Sequence, residues 1–402
     1  MAAQEAYFDA QIRHGIGLRN LSSGEVKQVR RIAILADREL DELLRSRLTT
    51  DMSFTSQRWK RLQADIRELR AASWQQMKAA NRQSMIDLAK AEQDFAHGLV
   101  QAHIPVQLDF ALAGTERLVA LVTTQPFSGG ANAARTLGQW WDGVRAADQR
   151  RIMEALQLGV LQGESVPQMA ARVQAGMEMS RRNAEAIVRT AVNHASSTAR
   201  DAFFQANSDV LSVEMWSAML DGRTTAVCRG RDGHYAPVDG MTMDGVPEPH
   251  LDPPSARPPA HPQCRSQMVG VLNPDGIAAR MGSRAYVRDT RTRRFRERDF
   301  RAETRDKVGA ARWKRMTTKQ RTAAIARTRK AWARDAVGQV PAGLRYDAWL
   351  RKQPVAFQNE VLGVAKGKAF RKGLRLEQFV DRRGAELTLV QLKRKFPSYV
   401  SG

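Results

Sequence analysis

Cysteine is nearly missing from this chain, with two in 402 residues. Two thiols cannot build the disulfide framework of a small secreted domain. Aromatic residues are scarce too, at 6% against 43% hydrophobic overall. That disfavours β-sandwich cores and points to helices packed through Leu, Val, Met and Ala. No apolar run approaches the ~20 residues that cross a bilayer, so no membrane partner is expected. The opening MAAQEAYFDAQIRHG contains acidic groups and no apolar centre, which excludes a signal peptide, and synthesis in the cytoplasm is expected. Acidic charge is also in short supply. Against 64 Lys and Arg stand 42 Asp and Glu, for a net charge of +22. A field of that sign attracts polyanions, either nucleic acid or an acidic protein surface.

What the chain does contain is helical periodicity. In SQRWKRLQADIRELRAASWQQM, Trp59, Leu62, Ile66, Leu69, Ser73 and Met77 follow a three-and-four spacing, one face of a helix. AILADRELDELLRSRL and SMIDLAKAEQDFAHGLV behave alike, so residues 1 to about 120 read as long charged helices. Pro126, Gly129 and Gly130 break the pattern into a loop. A helix carrying Trp140 and Trp141 follows, with Ile152, Leu156, Gly159 and Val160 on one face. Gly163 looks like its C-terminal stop and Ser165 like the cap of the next helix, with Pro167 in its first turn. SRRNAEAIVRTAVNHASSTARDAFFQAN reads as another long helix ending at Asn207, with Ile187, Ala191, His194, Thr198 and Ala202 on one face.

VLSVEMWSAML then alternates as a strand does. Both cysteines follow it, Cys228 in DGRTTAVCRGRDGHYAP and Cys264 in PPAHPQCRS. The Asp232–Gly233 pair signals a hairpin, and CRSQMVGVL a returning strand. Cys228, His261 and Cys264 offer two thiols and an imidazole, which zinc prefers, but structural zinc wants four ligands. A disulfide and a pair of buried small thiols are the other readings of the two cysteines. Asp221, Arg223, Asp232 and Arg265 are candidates for a carboxylate–guanidinium network that fixes these loops, or the arginines face phosphates. A metal-dependent nuclease using Cys228, His234 and His261 is the alternative functional class. No P-loop, G-x-S-x-G or spaced carboxylate pair supports an enzyme.

Residues 284–335 hold 19 Lys and Arg against 6 Asp and Glu, over half of the net charge. With few apolar anchors, the segment reads as disordered or as a solvated helix. Arg291, Arg293, Arg294, Arg296, Arg298, Arg301, Arg312, Lys314 and Arg315 are its candidate DNA-phosphate contacts. Beyond Pro341 the pattern suggests a compact, mostly helical unit. The expected fold is mainly α with a small β-hairpin element. Its parts are an N-terminal helical region (1–124), a core of helices plus hairpin (125–275), an Arg-rich segment (276–340) and a C-terminal unit (341–402).

Taken in order, Asp221, Arg223, Thr224, Cys228, Arg229, Asp232 and Gly233, then Pro258, Pro259, His261, Pro262, Cys264 and Arg265, resemble the signature of the phage head morphogenesis family, the Mu F-like minor head proteins. GVLQGESVPQMAARV and IVRTAVNHASSTAR are similar to that family's helical lead-in, and the likeness runs over roughly residues 125–272. Some relatives have a further cysteine three residues before the first; here that position is Thr225, which weakens a four-ligand zinc site. The resemblance implies a non-enzymatic virion component without a cofactor, located in the head interior near the portal. It implies portal, capsid or scaffolding proteins as partners, with non-specific contact to packaged DNA. The N-terminal helices and the Trp140 region would do the docking.

Overall fold

The computed structural model describes residues 2–47, 56–103, 109–127, 135–272, 283–287, 293–335, 337–341, 344–381 and 384–400. The chain divides into two compact units, residues 13–212 with 256–268, and residues 1–12 with 213–255 and 269–402.

The first unit is helical. It contains most of α1 (Ala2–Arg47), then α2 (Ser56–His103), α3 (Thr115–Thr124), α4 (Leu137–Leu161) and α5 (Val166–Ala206). One core cluster gathers Trp74, Met77, Met85, Trp141, Ile187 and Val188. A second joins Leu40, Leu44, Leu62, Ile66, Ile152 and Leu156. The predicted stripe on α2 supplies both. Thr136 caps α4 by accepting from the Gln139 N–H while the Gln139 amide accepts from Thr136, a reciprocal box that satisfies two end donors. Gly163, at φ 65°, ends α4 as expected. The next helix differs from expectation. Its two predicted pieces form one 41-residue rod that runs through Gly176. The loop expected at Gly129 and Gly130 lies outside the described residues.

A charged network is buried among these helices. Arg70, 1% exposed, donates to Asp37 Oδ1 at 2.9 Å and to Asp148 Oδ2 at 2.9 Å. Trp74 Nε1 also donates to Asp148, at 2.7 Å, and Arg181 pairs with Asp37. Burying three charges is tolerable only because each has opposite-charge and hydrogen-bond partners.

A three-stranded sheet is ordered β2–β1–β3, with β1 (Val213–Ser217) and β2 (Tyr235–Pro237) in the second unit and β3 (Gln267–Val271) running across the boundary between Met268 and Val269. β1 and β2 are antiparallel, with Val213 opposite Pro237 and Met215 opposite Tyr235. The predicted strands are present, but Asp232–Gly233 does not turn one strand into the next. The short helix α6 (Ala226–Arg231) intervenes, and the pair links it to β2. Gly233 supplies the positive φ, 73°, that this link needs.

The Arg-rich segment is ordered into helices where it is described. It runs β4 (Ser283–Val287), α7 (Arg293–Val308), α8 (Ala310–Arg315), α9 (Thr318–Asp335) and β5 (Val337–Pro341). β4 and β5 pair antiparallel with Ser283 opposite Pro341, so the excursion leaves and returns at neighbouring positions. Phe300 and Trp313 are buried, and the Thr304 hydroxyl donates to Thr328 between α7 and α9. After β5 come α10 (Tyr346–Arg351), α11 (Val355–Leu362), α12 (Val364–Arg371), a 3-10 turn (Leu376–Phe379) and α13 (Leu389–Lys395). They close over Leu220, Tyr346, Trp349, Leu350, Phe370 and Leu376. Fully burying one such large apolar side chain stabilises by about 1.5–3 kcal/mol.

Candidate functional site

The two signature stretches are each built onto a scaffold of their own unit. In the helical unit, PPAHPQCRSQM lies along a polar stripe of α5. Thr190 Oγ1 accepts from the Gln263 N–H at 2.8 Å. The Asn193 amide donates to the carbonyls of Cys264, at 2.8 Å, and Ser266, at 3.0 Å. Arg200 donates to the Met268 carbonyl at 3.1 Å and to Glu92 Oε2 at 3.0 Å. Glu92 also accepts from Ser196 at 2.8 Å and contacts His14. Burial works to raise the Glu92 pKa, but His14, Arg200 and Ser196 outweigh it and hold the group near 2. A segment without regular backbone pairing thus has its peptide groups met by helix side chains.

His261 and Cys264 come together within this segment. Both are more than half buried, and His261 Nδ1 lies 2.9 Å from the Pro262 carbonyl. Burial disfavours the charged imidazole, but Cys264 and the Pro262 carbonyl outweigh it. The His261 pKa is raised, with Arg265 opposing. Cys264 and, in the second unit, Cys228 are buried thiols. His194 belongs to the interior: it packs on Phe127 with ring centroids 4.8 Å apart, and burial lowers its pKa to about 4.

In the second unit, Asp221–Pro237 is fastened to the C-terminal helices. Asp232, 1% exposed, accepts from the Ala218 N–H at 2.7 Å through Oδ1 and from the Tyr346 N–H at 2.6 Å through Oδ2. Tyr346 Oη donates to the Asp221 carbonyl at 2.6 Å. Arg229 donates to the Thr224 carbonyl at 2.8 Å, so it serves the local backbone. Arg223 is exposed, and its N–H donates to Asp221 Oδ1 at 2.9 Å. The His234 ring lies 3.1 Å from Glu377 Oε2, and Arg345 reaches the same oxygen at 3.3 Å. His234 foremost, aided by Arg375 and Arg345 against partial burial, lowers the Glu377 pKa. Close approach is needed as well. A Cβ at Gly233 would lie 2.6 Å from Arg345 Cγ, and one at Gly230 would lie 3.2 Å from the Glu377 backbone.

Several of these partners leave no local signal in the sequence. Tyr346, Arg345 and Glu377 lie more than a hundred residues from the motif they hold. Thr190, Asn193, Ser197 and Arg200 did carry a signal, a polar three-and-four stripe beside the apolar one already traced. Of the candidate phosphate contacts, Arg301, Arg312, Lys314 and Arg315 are exposed. Arg293, Arg294, Arg296 and Arg298 lie on α7, and Arg291 lies outside the described residues.

Within the signature stretches, Asp232 and Arg229 fasten backbone, and His261 lies beside the Cys264 thiol. Residues 150–269 match the family model described as Phage Mu protein F like protein. Over that segment, less than a third of the chain, it is similar to the Mu F-like proteins of phage head morphogenesis, as its motif residues lead one to expect. The family points to a role in phage head morphogenesis. No curated protein and no solved structure matches the chain significantly. No described helix is long and apolar enough to cross a membrane.

Proposed function

We propose that this chain is a structural minor head protein of a tailed phage or prophage. It docks on the portal, or on capsid or scaffolding proteins, inside the head near the portal vertex, and it contacts packaged DNA without sequence preference. The observation that carries the reading is the match over residues 150–269, where the signature residues fall. Two features support it. The exposed Arg301, Arg312, Lys314 and Arg315 suit phosphate contacts, which position a protein on DNA without reading its bases. The long helices of the first unit offer rigid faces to a partner. The reading assigns no catalytic group and no cofactor.

The test is co-purification with the portal protein encoded by the same phage, washed at about 1 M salt, where the screening length falls to about 3 Å and charge-only contacts are stripped. Retention is expected. If no portal, capsid or scaffolding protein is retained, the head-assembly reading falls.

A further inference from the structure

Helix α4 presents a face that the helical unit leaves uncovered. Its inward side, with Trp141, Asp148, Ile152 and Leu156, is buried. On the other side runs an open groove of about 870 Å³. At 100° per residue, Gly143, Ala147, Arg150 and Glu154 fall on one stripe beside the buried Trp140 and Val144, and the same stripe continues to Leu158 and Leu161. From Gly143 to Leu161 it is about 27 Å long at the helical rise, some five turns. The floor is apolar and low. Gly143 keeps it open, since a Cβ there would meet only the end of Arg135, at 3.7 Å. Beyond the groove, whose lining on α4 ends at Glu154, the same stripe displays two large apolar side chains in water, Leu158 at 41% and Leu161 at 83% exposed. The rim is basic: Arg67, Arg135 and Arg150 line the groove against the single carboxylate of Glu154.

We propose that this groove docks an acidic amphipathic helix of another head protein. The proposal rests on the head-assembly reading and names the chemistry of its partner. A straight groove along one helix fits a helical ligand, which binds through apolar residues at helical spacing. The ligand's apolar stripe would cover Leu158, Leu161 and the floor at Gly143 and Ala147. Its carboxylates would meet Arg67, Arg135 and Arg150, which also repel a basic helix and so set partner choice. An alternative occupant is a DNA backbone, drawn by the same three guanidinium groups. The exposed leucines and the open floor argue against it, because phosphates gain nothing from apolar contacts.

The experiment uses the full chain and three probes in fluorescence anisotropy. These are a synthetic helix of about 20 residues with a leucine stripe flanked by glutamates, the same helix with lysines for glutamates, and a DNA duplex. The glutamate helix is expected to bind and the lysine helix to fail. Leu158→Lys with Leu161→Lys should weaken the glutamate helix by about tenfold per leucine. Gly143→Leu fills the floor with a good helix former and should also weaken binding while the melting temperature holds. Arg67→Glu with Arg150→Glu should abolish the preference for glutamate over lysine. Three results would overturn the proposal: no binding of the glutamate helix, binding unchanged by the leucine pair, or duplex DNA binding lost in the arginine pair while the helix is unaffected. Co-purification separates this failure from the broader one. If the Leu158→Lys, Leu161→Lys chain still retains the head proteins that the wild type retains, the groove is wrong and the head-assembly reading stands.

Discussion

Replacing Asp232 tests whether the signature loop is a clamp on the C-terminal helices. Its carboxylate meets two buried backbone donors, the N–H groups of Ala218 and Tyr346, at 2.7 and 2.6 Å. Ala218 follows β1 and Tyr346 opens α10, so one side chain joins a strand end to a helix start. Asp232→Ala leaves both donors buried without that acceptor. Each such orphan costs about 1–3 kcal/mol, so the variant should lose about 2–5 kcal/mol. Asp232→Asn keeps one oxygen but turns an amide NH₂ toward the other donor, and about 1–3 kcal/mol should be lost. Tyr346→Phe removes only the bond from Oη to the Asp221 carbonyl and should cost about 0.5–1.5 kcal/mol. Urea midpoints of the full chain give the order Asp232→Ala, then Asp232→Asn, then Tyr346→Phe. Limited proteolysis should show residues 344–400 cut first in Asp232→Ala. A midpoint for Asp232→Ala within about 0.5 kcal/mol of wild type, the range of neutral surface changes, would refute the clamp.

Other outcomes follow from the same geometry. His194 folds with its pKa lowered to about 4, so the unfolded chain takes up a proton that the folded one refuses. Its contribution is whole above the unfolded value near 6.5 and is lost as pH falls toward 4, by about 2–3 kcal/mol. His194→Phe should flatten the stability profile in that window, and an unchanged slope would assign the pH dependence elsewhere. Removing residues 284–340, with two glycines joining Ser283 to Pro341, should weaken duplex DNA binding and flatten its dependence on salt. An unchanged salt slope would take the basic module out of any DNA role. Metal analysis of the purified chain should give well under one zinc per molecule. Stoichiometric zinc would overturn the reading of Cys228 and Cys264 as buried thiols.

Signals carried by neighbouring residues were legible in the sequence. The stripe from Trp59 to Met77, the stop at Gly163 and the strand at Val213–Ser217 each depend on side chains a few positions apart. Misreadings arose where a local signal had two outcomes. Asp232–Gly233 marks a chain reversal, but α6 separates it from β1, so it turns a helix into a strand. What stayed hidden depends on distant partners. Ser283–Val287 and Val337–Pro341 are short, and each is a strand because it pairs with the other some fifty residues away. The Arg-rich stretch between them reads as solvated because its apolar anchors, among them Phe300 and Trp313, are few and far apart. Likewise, nothing near Asp232 announces Tyr346. A buried carboxylate with backbone partners leaves no periodic trace.

The register of β4 and β5 has a consequence for how this protein can vary. Opposed residues in an antiparallel pair have Cα atoms about 5 Å apart, so the body of the second unit meets the basic module through a gap scarcely wider than one peptide. Everything beyond that gap can lengthen, shorten or change charge without altering the path on either side of it. The module is therefore a replaceable cassette. It is also the position where this chain carries over half of its net positive charge.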